Sequence, residues 1–144
     1  MCDGASFTPS FPPPTAFEFY VGGSVGPSLY VRLVDGRNGR LLYERASAGG
    51  YSGVVMEASP TPGEWARFRE TADRLGVWEW EPEYVSAYSC CDVTYWHLRM
   101  EMDGHSIVVR GANGYPGSAG PEVSREFREF RAAVERLIGR SSRC

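Results

Sequence analysis

The clearest strand-turn-strand pattern of the chain lies in residues 78–116, WEWEPEYVSAYSCCDVTYWHLRMEMDGHSIVVRGANGYP. From residue 94 to residue 102, apolar side chains on one side alternate with Tyr95, His97, Arg99 and Glu101 on the other. Asp103-Gly104 predicts a two-residue type I′ turn, which places His97 opposite Arg110. The stretch therefore predicts a β-hairpin with an apolar face containing Trp96, Leu98, Met100 and Met102.

Upstream of this hairpin, apolar alternation predicts four shorter strands. They cover residues 17–21, 29–34, 41–43 and 54–56. Glycine-rich pairs separate them, and Asp35-Gly36 with Asn38-Gly39 supplies the residues that a hairpin loop requires. These strands are expected to form hairpins, so the sheet should be mostly antiparallel.

Two segments have the period of amphipathic helices. Thr61 and Glu64 form a capping box that predicts a helix over 62–75, ended by a left-handed Gly76. A second helix is predicted to open at Gly120-Pro121 and end at Gly139. Its apolar stripe would contain Val123, Phe127, Phe130, Val134, Leu137 and Ile138. Residues 77–84 are interpreted as an irregular extended connection, because Pro82 cannot donate to a sheet.

The predicted order is β-β-β-β-α-β-β-α. We expect an α+β fold, a two-layer sandwich whose mostly antiparallel sheet of about six strands is covered by two helices. The single domain should cover 17–139, preceded by a disordered Pro- and Ser-rich tail at 1–16 and followed by a frayed tail at 140–144.

Composition excludes several classes of function. All 15 basic residues are arginine and 18 residues are acidic, so the net charge of -3 argues against a nucleic-acid partner. No apolar run has the length of a membrane span, and no secretory leader is visible at the start. We therefore expect a cytoplasmic protein without a membrane partner, in which Cys2, Cys90, Cys91 and Cys144 stay reduced.

Aromatic and glycine positions resemble a known pattern. Trp65-x-x-Phe68, Val77-Trp78-x-Trp80-x-x-x-Tyr84, Trp96-x-Leu98 and Gly111-x-Asn113-x-Tyr115-Pro116 are similar to motifs in small bacterial proteins that form uncharacterised domain families. The resemblance covers residues 17–138 at the level of element order. It implies an α+β domain and implies no activity, cofactor or site residue.

The sequence offers one enzyme hypothesis, kept as the alternative. Cys91 or Cys90 would be the nucleophile, His97 its base, and Asp92 or Glu101 the group that orients the histidine. No metal site or cofactor is expected. Cys90, Cys91, His97 and His105 lack the paired spacing of metal ligands, since adjacent side chains of an extended chain point to opposite faces.

Aromatic excess carries the leading hypothesis, a non-enzymatic binding or accessory domain. Tyrosine and tryptophan in irregular or solvent-facing positions often mark recognition surfaces. The surface would recognise a protein or peptide, with a second copy of the chain as a variant. In the competing interpretation, the same rings seal the end of the sandwich. The binding residues would be Trp80, Tyr84, Tyr88, Tyr95, Asn113 and Tyr115, with Glu79 and Glu81 as an acidic rim.

Overall fold

The computed structural model describes residues 13–23, 27–35, 39–46, 54–86, 93–118 and 120–140. They form one seven-stranded sheet and two α-helices, which confirms the α+β class with one strand more than expected. The strands are β1 (Ala16–Gly23), β2 (Ser28–Asp35), β3 (Arg40–Ala46), β4 (Met56–Ala58), β5 (Glu83–Val85), β6 (Thr94–Met102) and β7 (His105–Ala112). The helices are α1 (Pro62–Leu75) and α2 (Arg125–Arg140), with a short 3₁₀ helix at Val77–Glu79. Neither α-helix combines the length and apolar character that crossing a bilayer requires.

The β6–β7 hairpin has the predicted register. Met102 lies opposite His105 and Leu98 lies opposite Val109. Asp103 and Gly104 both adopt positive φ angles, of 50° and 83°, as a type I′ turn requires. The hairpin therefore presents its apolar side chains to one face, where Trp96, Leu98 and Met100 are buried.

The centre of the sheet is the antiparallel pairing of β1 with β6. Phe19 lies opposite Leu98, and the strand order across the sheet is β4-β3-β2-β1-β6-β7-β5. This pairing joins the four-strand meander at the start of the chain to the hairpin. Both helices pack on the face that carries Phe17, Phe19 and Trp96, where Phe68 and Phe130 complete the core.

Helix α1 begins and ends as its sequence predicts. The backbone N–H of Glu64 donates to Thr61 Oγ1 over 3.1 Å, and the backbone N–H of Thr61 donates to Glu64 Oε1 over 2.8 Å. Gly76 ends the helix with a φ of 69°. Trp65, Phe68 and Ala72 form its buried stripe, which packs on the sheet. Both the ends of the helix and its buried face are therefore the ones that the sequence predicts.

Residues 77–85 differ from the expected extended connection. Gly76 in the left-handed region turns the chain into the 3₁₀ helix, whose Val77 is buried. Trp78 and Trp80 therefore do not share a face: the Trp78 indole N–H donates to Asp73 Oδ1, whereas Trp80 packs on Trp96. Pro82 precedes β5, a short parallel neighbour of β7 that alternation alone did not reveal.

Three predicted boundaries move. Helix α2 begins at Arg125, after Ser124 Oγ accepts the N–H of Phe127 over 3.1 Å, and Val123 outside it is 42% exposed. Strand β4 covers Met56–Ala58, two residues later than expected. Strand β1 starts at Ala16, and the N–H of Thr15 donates to Glu101 O over 2.9 Å. The rest of the predicted tails, 1–12 and 141–144, lies outside the described residues.

Candidate functional site

Trp96, a predicted core residue of the hairpin, is the centre of an aromatic cluster that includes three predicted binding residues, Trp80, Tyr84 and Tyr115. Its ring lies 4.7 Å from Phe127, is parallel to Tyr115 within 7° at 6.4 Å, and stacks on Tyr84 at 6.2 Å. Trp80 meets it edge-on at 6.1 Å. These contacts tie β5, β6, α2 and the loop after β7 together, so the cluster belongs to the core.

The Gly-x-Asn-x-Tyr motif makes this cluster possible. A Cβ atom on Gly111 would lie 2.1 Å from Nε1 of Trp96, so a side chain there is excluded. The indole N–H donates to Gly114 O over 2.9 Å. Asn113 adopts a φ of 50°, its Oδ1 accepts the N–H of Thr94, and its own N–H donates to Thr94 O, each over 2.9 Å. The motif therefore fixes the end of β7 and the loop after it against β6 through hydrogen bonds and close packing.

Most of the predicted binding residues are consequently not on one surface. Tyr115 is 3% exposed and Asn113 is 9% exposed, contrary to the solvent-facing placement expected for them. Trp80 and Tyr84 are half-buried against the core. Their rings seal the end of the sandwich because Trp96 needs apolar cover on several sides. Of the other predicted residues, Tyr95 is 54% exposed, Glu79 and Glu81 are exposed, and Tyr88 lies outside the described residues.

The residues of the enzyme hypothesis are described only in part. Cys90, Cys91 and Asp92 lie outside the described residues. His97 is half-exposed and stacks on Tyr20 at 5.8 Å, with its Nε2 3.9 Å from Glu18 Oε2. The carboxylate near this histidine is thus Glu18, whereas Glu101 lies four residues along the strand, about 13 Å away at the usual rise. By register His97 and His105 project to opposite faces of the hairpin, so they do not share an ion.

The sheet has a second face on which none of the described elements packs. We call it the open face; it is formed by the side chains that alternate with the core residues on five central strands. Its aromatic residues are Tyr20, Tyr30, Tyr95 and His97, and its charged residues are Glu18, Arg32, Arg40, Glu44, Arg99, Glu101 and Arg110. Aromatic rings and arginines are thus presented together to solvent at the middle of the sheet.

Glu18 and Tyr30 form the tightest polar contact of the open face. The Tyr30 hydroxyl donates to Glu18 Oε2, and the Tyr30 ring meets Tyr20 edge-on at 6.2 Å. Burial, and then the bond to the Glu18 carboxylate, raise the pKa of the Tyr30 hydroxyl. The neighbouring Arg32 guanidinium lies 5.7 Å from the centre of the Tyr30 ring, a cation–π distance.

An open cavity of about 360 Å³ lies at one end of the open face. Arg32 and Arg99 line it from the strands on either side of β1. Glu18 and Glu101 also line it, and each already accepts a hydroxyl hydrogen, from Tyr30 and Thr15 respectively. The cavity therefore combines two guanidinium groups with two carboxylates that have donors of their own.

No family model matches the chain, and neither a curated protein nor a solved structure does. The geometry consequently defines a structural class only: an α+β domain in which both helices pack on one sheet face and no described element packs on the other. Any narrower function depends on what the open face and its cavity can bind.

Proposed function

We propose that this chain is a non-enzymatic binding domain that recognises a peptide segment of another protein through the open face. The observation that carries the proposal is the placement of Tyr20, Tyr30, Tyr95 and His97 beside arginines on a face without a described covering element. Tyrosine and arginine are the residues most often found at the energetic centre of protein interfaces. This proposal keeps the prediction that aromatic residues bind the partner. It places them on the open face of the sheet and not at the end of the sandwich that Trp80 and Tyr84 seal.

The charge of the open face favours a protein partner over a polyanion. Four arginines, Arg32, Arg40, Arg99 and Arg110, accompany three glutamates, Glu18, Glu44 and Glu101. A fourth glutamate, Glu57 on the edge strand β4, lies 3.8 Å from Arg40 and completes the balance. A balanced surface lacks the counterion-release contribution that drives nucleic-acid binding. Mixed charges around aromatic rings instead allow complementary pairing with a defined partner.

The size of the open face favours a peptide segment over a second copy of the chain. The five central strands are seven to nine residues long. With a spacing of about 4.8 Å and a rise of about 3.3 Å per residue, they give a flat projected area of roughly 600 Å². Stable protein interfaces bury about 800 Å² on each partner. A short segment matches the available area, and a homodimer through the same face is an outcome that the experiment distinguishes.

Selection from a random peptide library, followed by nuclear magnetic resonance mapping, tests this proposal. Enriched peptides should shift the backbone amide signals of β1, β2 and β6. The double variant Tyr95→Ala/Arg99→Ala should weaken binding at least about tenfold, as expected for hot-spot residues. The matched control Arg67→Ala/Arg128→Ala, on the helical layer, should bind as the wild type does.

Three results would overturn the proposal. One is the absence of enriched peptides, and another is a set of shifts confined to the helices or to Glu79 and Glu81. The third is sedimentation as a dimer that Tyr95→Ala dissociates, since the occupant would then be a second copy. The enzyme alternative has its own test: rapid, selective alkylation of Cys90 or Cys91 at pH 6 would support a reactive thiol.

A further inference from the structure

Arg32 and Arg99 have an unusual relationship to Glu18. In the register of the sheet, Arg32 on β2 and Arg99 on β6 both lie directly opposite Glu18 on β1. Opposite charges on neighbouring strands commonly form a cross-strand pair. Here the Glu18 carboxylate accepts the Tyr30 hydroxyl and lies near His97 instead. Although all three side chains line the same cavity, the Glu18 carboxylate thus lies outside ion-pair distance of both arginines.

Both guanidinium groups consequently lack a direct ion pair within the described part of the chain. Among the residues that the structure describes, no carboxylate lies within ion-pair distance of either guanidinium. Arg110, on the same face, differs because its Nη2 lies 3.2 Å from Glu83 Oε2. The two unpaired guanidinium groups line the cavity of about 360 Å³ from opposite sides.

We propose that this cavity binds the carboxylate of an aspartate or glutamate side chain on the peptide that docks on the open face. The inference deepens the proposed function and rests on it. The two arginine strands are separated by β1, so their backbones lie about 10 Å apart at the usual strand spacing. Two long side chains on that separation can converge on one carboxylate, and each guanidinium can present a bidentate fork to it.

The other groups of the cavity favour a peptide carboxylate over a free inorganic anion. Glu18 and Glu101 repel an anion that brings no donors of its own. A peptide supplies backbone N–H groups beside its carboxylate, and these can donate to the remaining lone pairs of both glutamates. The cavity thus suits a ligand whose carboxylate meets the two arginines while its neighbouring N–H groups donate to the two glutamates.

Tyr30 is a positioning residue in this arrangement. Its hydroxyl holds the Glu18 carboxylate, which would otherwise be free to pair with Arg32 or Arg99. Tyr30→Phe removes that hydroxyl without removing either arginine. Carboxylate binding should therefore weaken in Tyr30→Phe, although the tyrosine does not touch the ligand.

Titration with acetyl-Glu-methylamide, followed through the arginine Nε–H signals, tests the proposal. The signals of Arg32 and Arg99 should shift and saturate, and the neutral probe acetyl-Gln-methylamide should leave them unchanged. Arg32→Gln and Arg99→Gln should each weaken binding at least about fivefold, a modest loss for a charge-assisted bond that is partly exposed. Arg110→Gln, which removes the same charge from the same face, should change the affinity less than about twofold, because that arginine already has a carboxylate partner.

Several outcomes would overturn the assignment. Equal shifts with the glutamine probe would remove the role of the carboxylate. An equal loss in Arg110→Gln would mean that general charge attracts the probe. Inorganic phosphate binding as tightly as the glutamate probe would identify a general anion site.

The selected peptides separate this inference from the proposed function. Peptides that dock on the open face but tolerate glutamine at every acidic position would leave the binding domain standing and refute the carboxylate site. If no peptide docks there, the proposed function fails, and the glutamate titration still decides whether the cavity takes a carboxylate.

Discussion

Gly111 lies so close to Trp96 that the indole occupies the position of its missing side chain. A Cβ at residue 111 would lie 2.1 Å from Trp96 Nε1 and 2.8 Å from Gly114 O. Both atoms belong to the hydrogen bond that closes the aromatic cluster. Glycine is therefore required at this position of β7 because a side chain would collide with Trp96. Its backbone conformation is not the reason, since its φ lies outside the positive region that favours glycine.

Gly111→Ala should lower the free energy of unfolding by about 2–4 kcal/mol, because the ring or a backbone segment must move in a close-packed core. Chemical denaturation monitored by tryptophan fluorescence measures the change. Gly63→Ala is the matched control: its new Cβ lies 3.9 Å from Thr61 Oγ1, an ordinary contact, within helix α1. That control should be neutral or stabilise by up to about 1 kcal/mol. Equal stability of the two variants would contradict the close packing at Gly111.

Trp80→Ala and Tyr84→Ala should each destabilise the protein by about 2–4 kcal/mol, since both rings pack on Trp96. The melting temperature of each variant measures the loss. Tyr95→Ala, which removes a ring of similar size from the open face, should change the melting temperature little. If both variants were as stable as the wild type, the two rings would not be part of the core, and the recognition surface expected from the sequence would stand.

Thr61→Ala should cost about 1 kcal/mol of stability, because the N–H of Glu64 loses its acceptor and the capping box opens. Urea denaturation with an unchanged slope measures the cost. Thr71→Ala in the same helix is the control, since its hydroxyl donates to Arg67 O and caps no helix end. Similar losses in both variants would mean that threonine packing, and not the cap, stabilises α1.

Tyr30 gives a prediction for alkaline pH. Its folded-state pKa is raised above the ordinary value of 10.0, mainly by burial and then by Glu18, so the folded protein holds this proton more tightly than the unfolded chain. The resulting stability is present below pH 10 and is lost as the pH rises through the folded-state pKa. Glu18→Gln should lower the Tyr30 pKa toward its ordinary value, measured as the tyrosinate absorbance that Tyr30→Phe removes. An unchanged Tyr30 pKa in Glu18→Gln would leave burial and the Glu44 charge as the causes of the raised value.

Local patterns predicted those parts of the fold whose partners are near in sequence. The Asp103-Gly104 turn determines the pairing of β6 with β7, and Thr61 with Gly76 marks both ends of α1. Strand β5 escaped prediction because it is three residues long and follows Pro82, so it lacks an alternating run. Its parallel partner, β7, lies beyond the following hairpin strand.

The open face escaped prediction for a related reason. Alternation correctly assigned His97 and Arg99 to the polar side of β6, and Glu18 and Tyr20 to the polar side of β1. Nothing in either strand indicates that the two are neighbours, because the β1–β6 pairing is long-range. The aromatic excess was visible, but periodicity does not distinguish rings that cover Trp96 from rings that face solvent.

The central position of the β1–β6 pairing has a consequence for synthesis on the ribosome. Phe19 emerges 79 residues before Leu98, its partner across the middle of the sheet. Throughout that interval, Phe19 lacks its neighbours on β6 and α2, although α1 is made during it, so part of the apolar surface of the meander stays exposed. We expect general chaperones to engage the growing chain during this interval, and a chain truncated before β6 to be cleared as misfolded material.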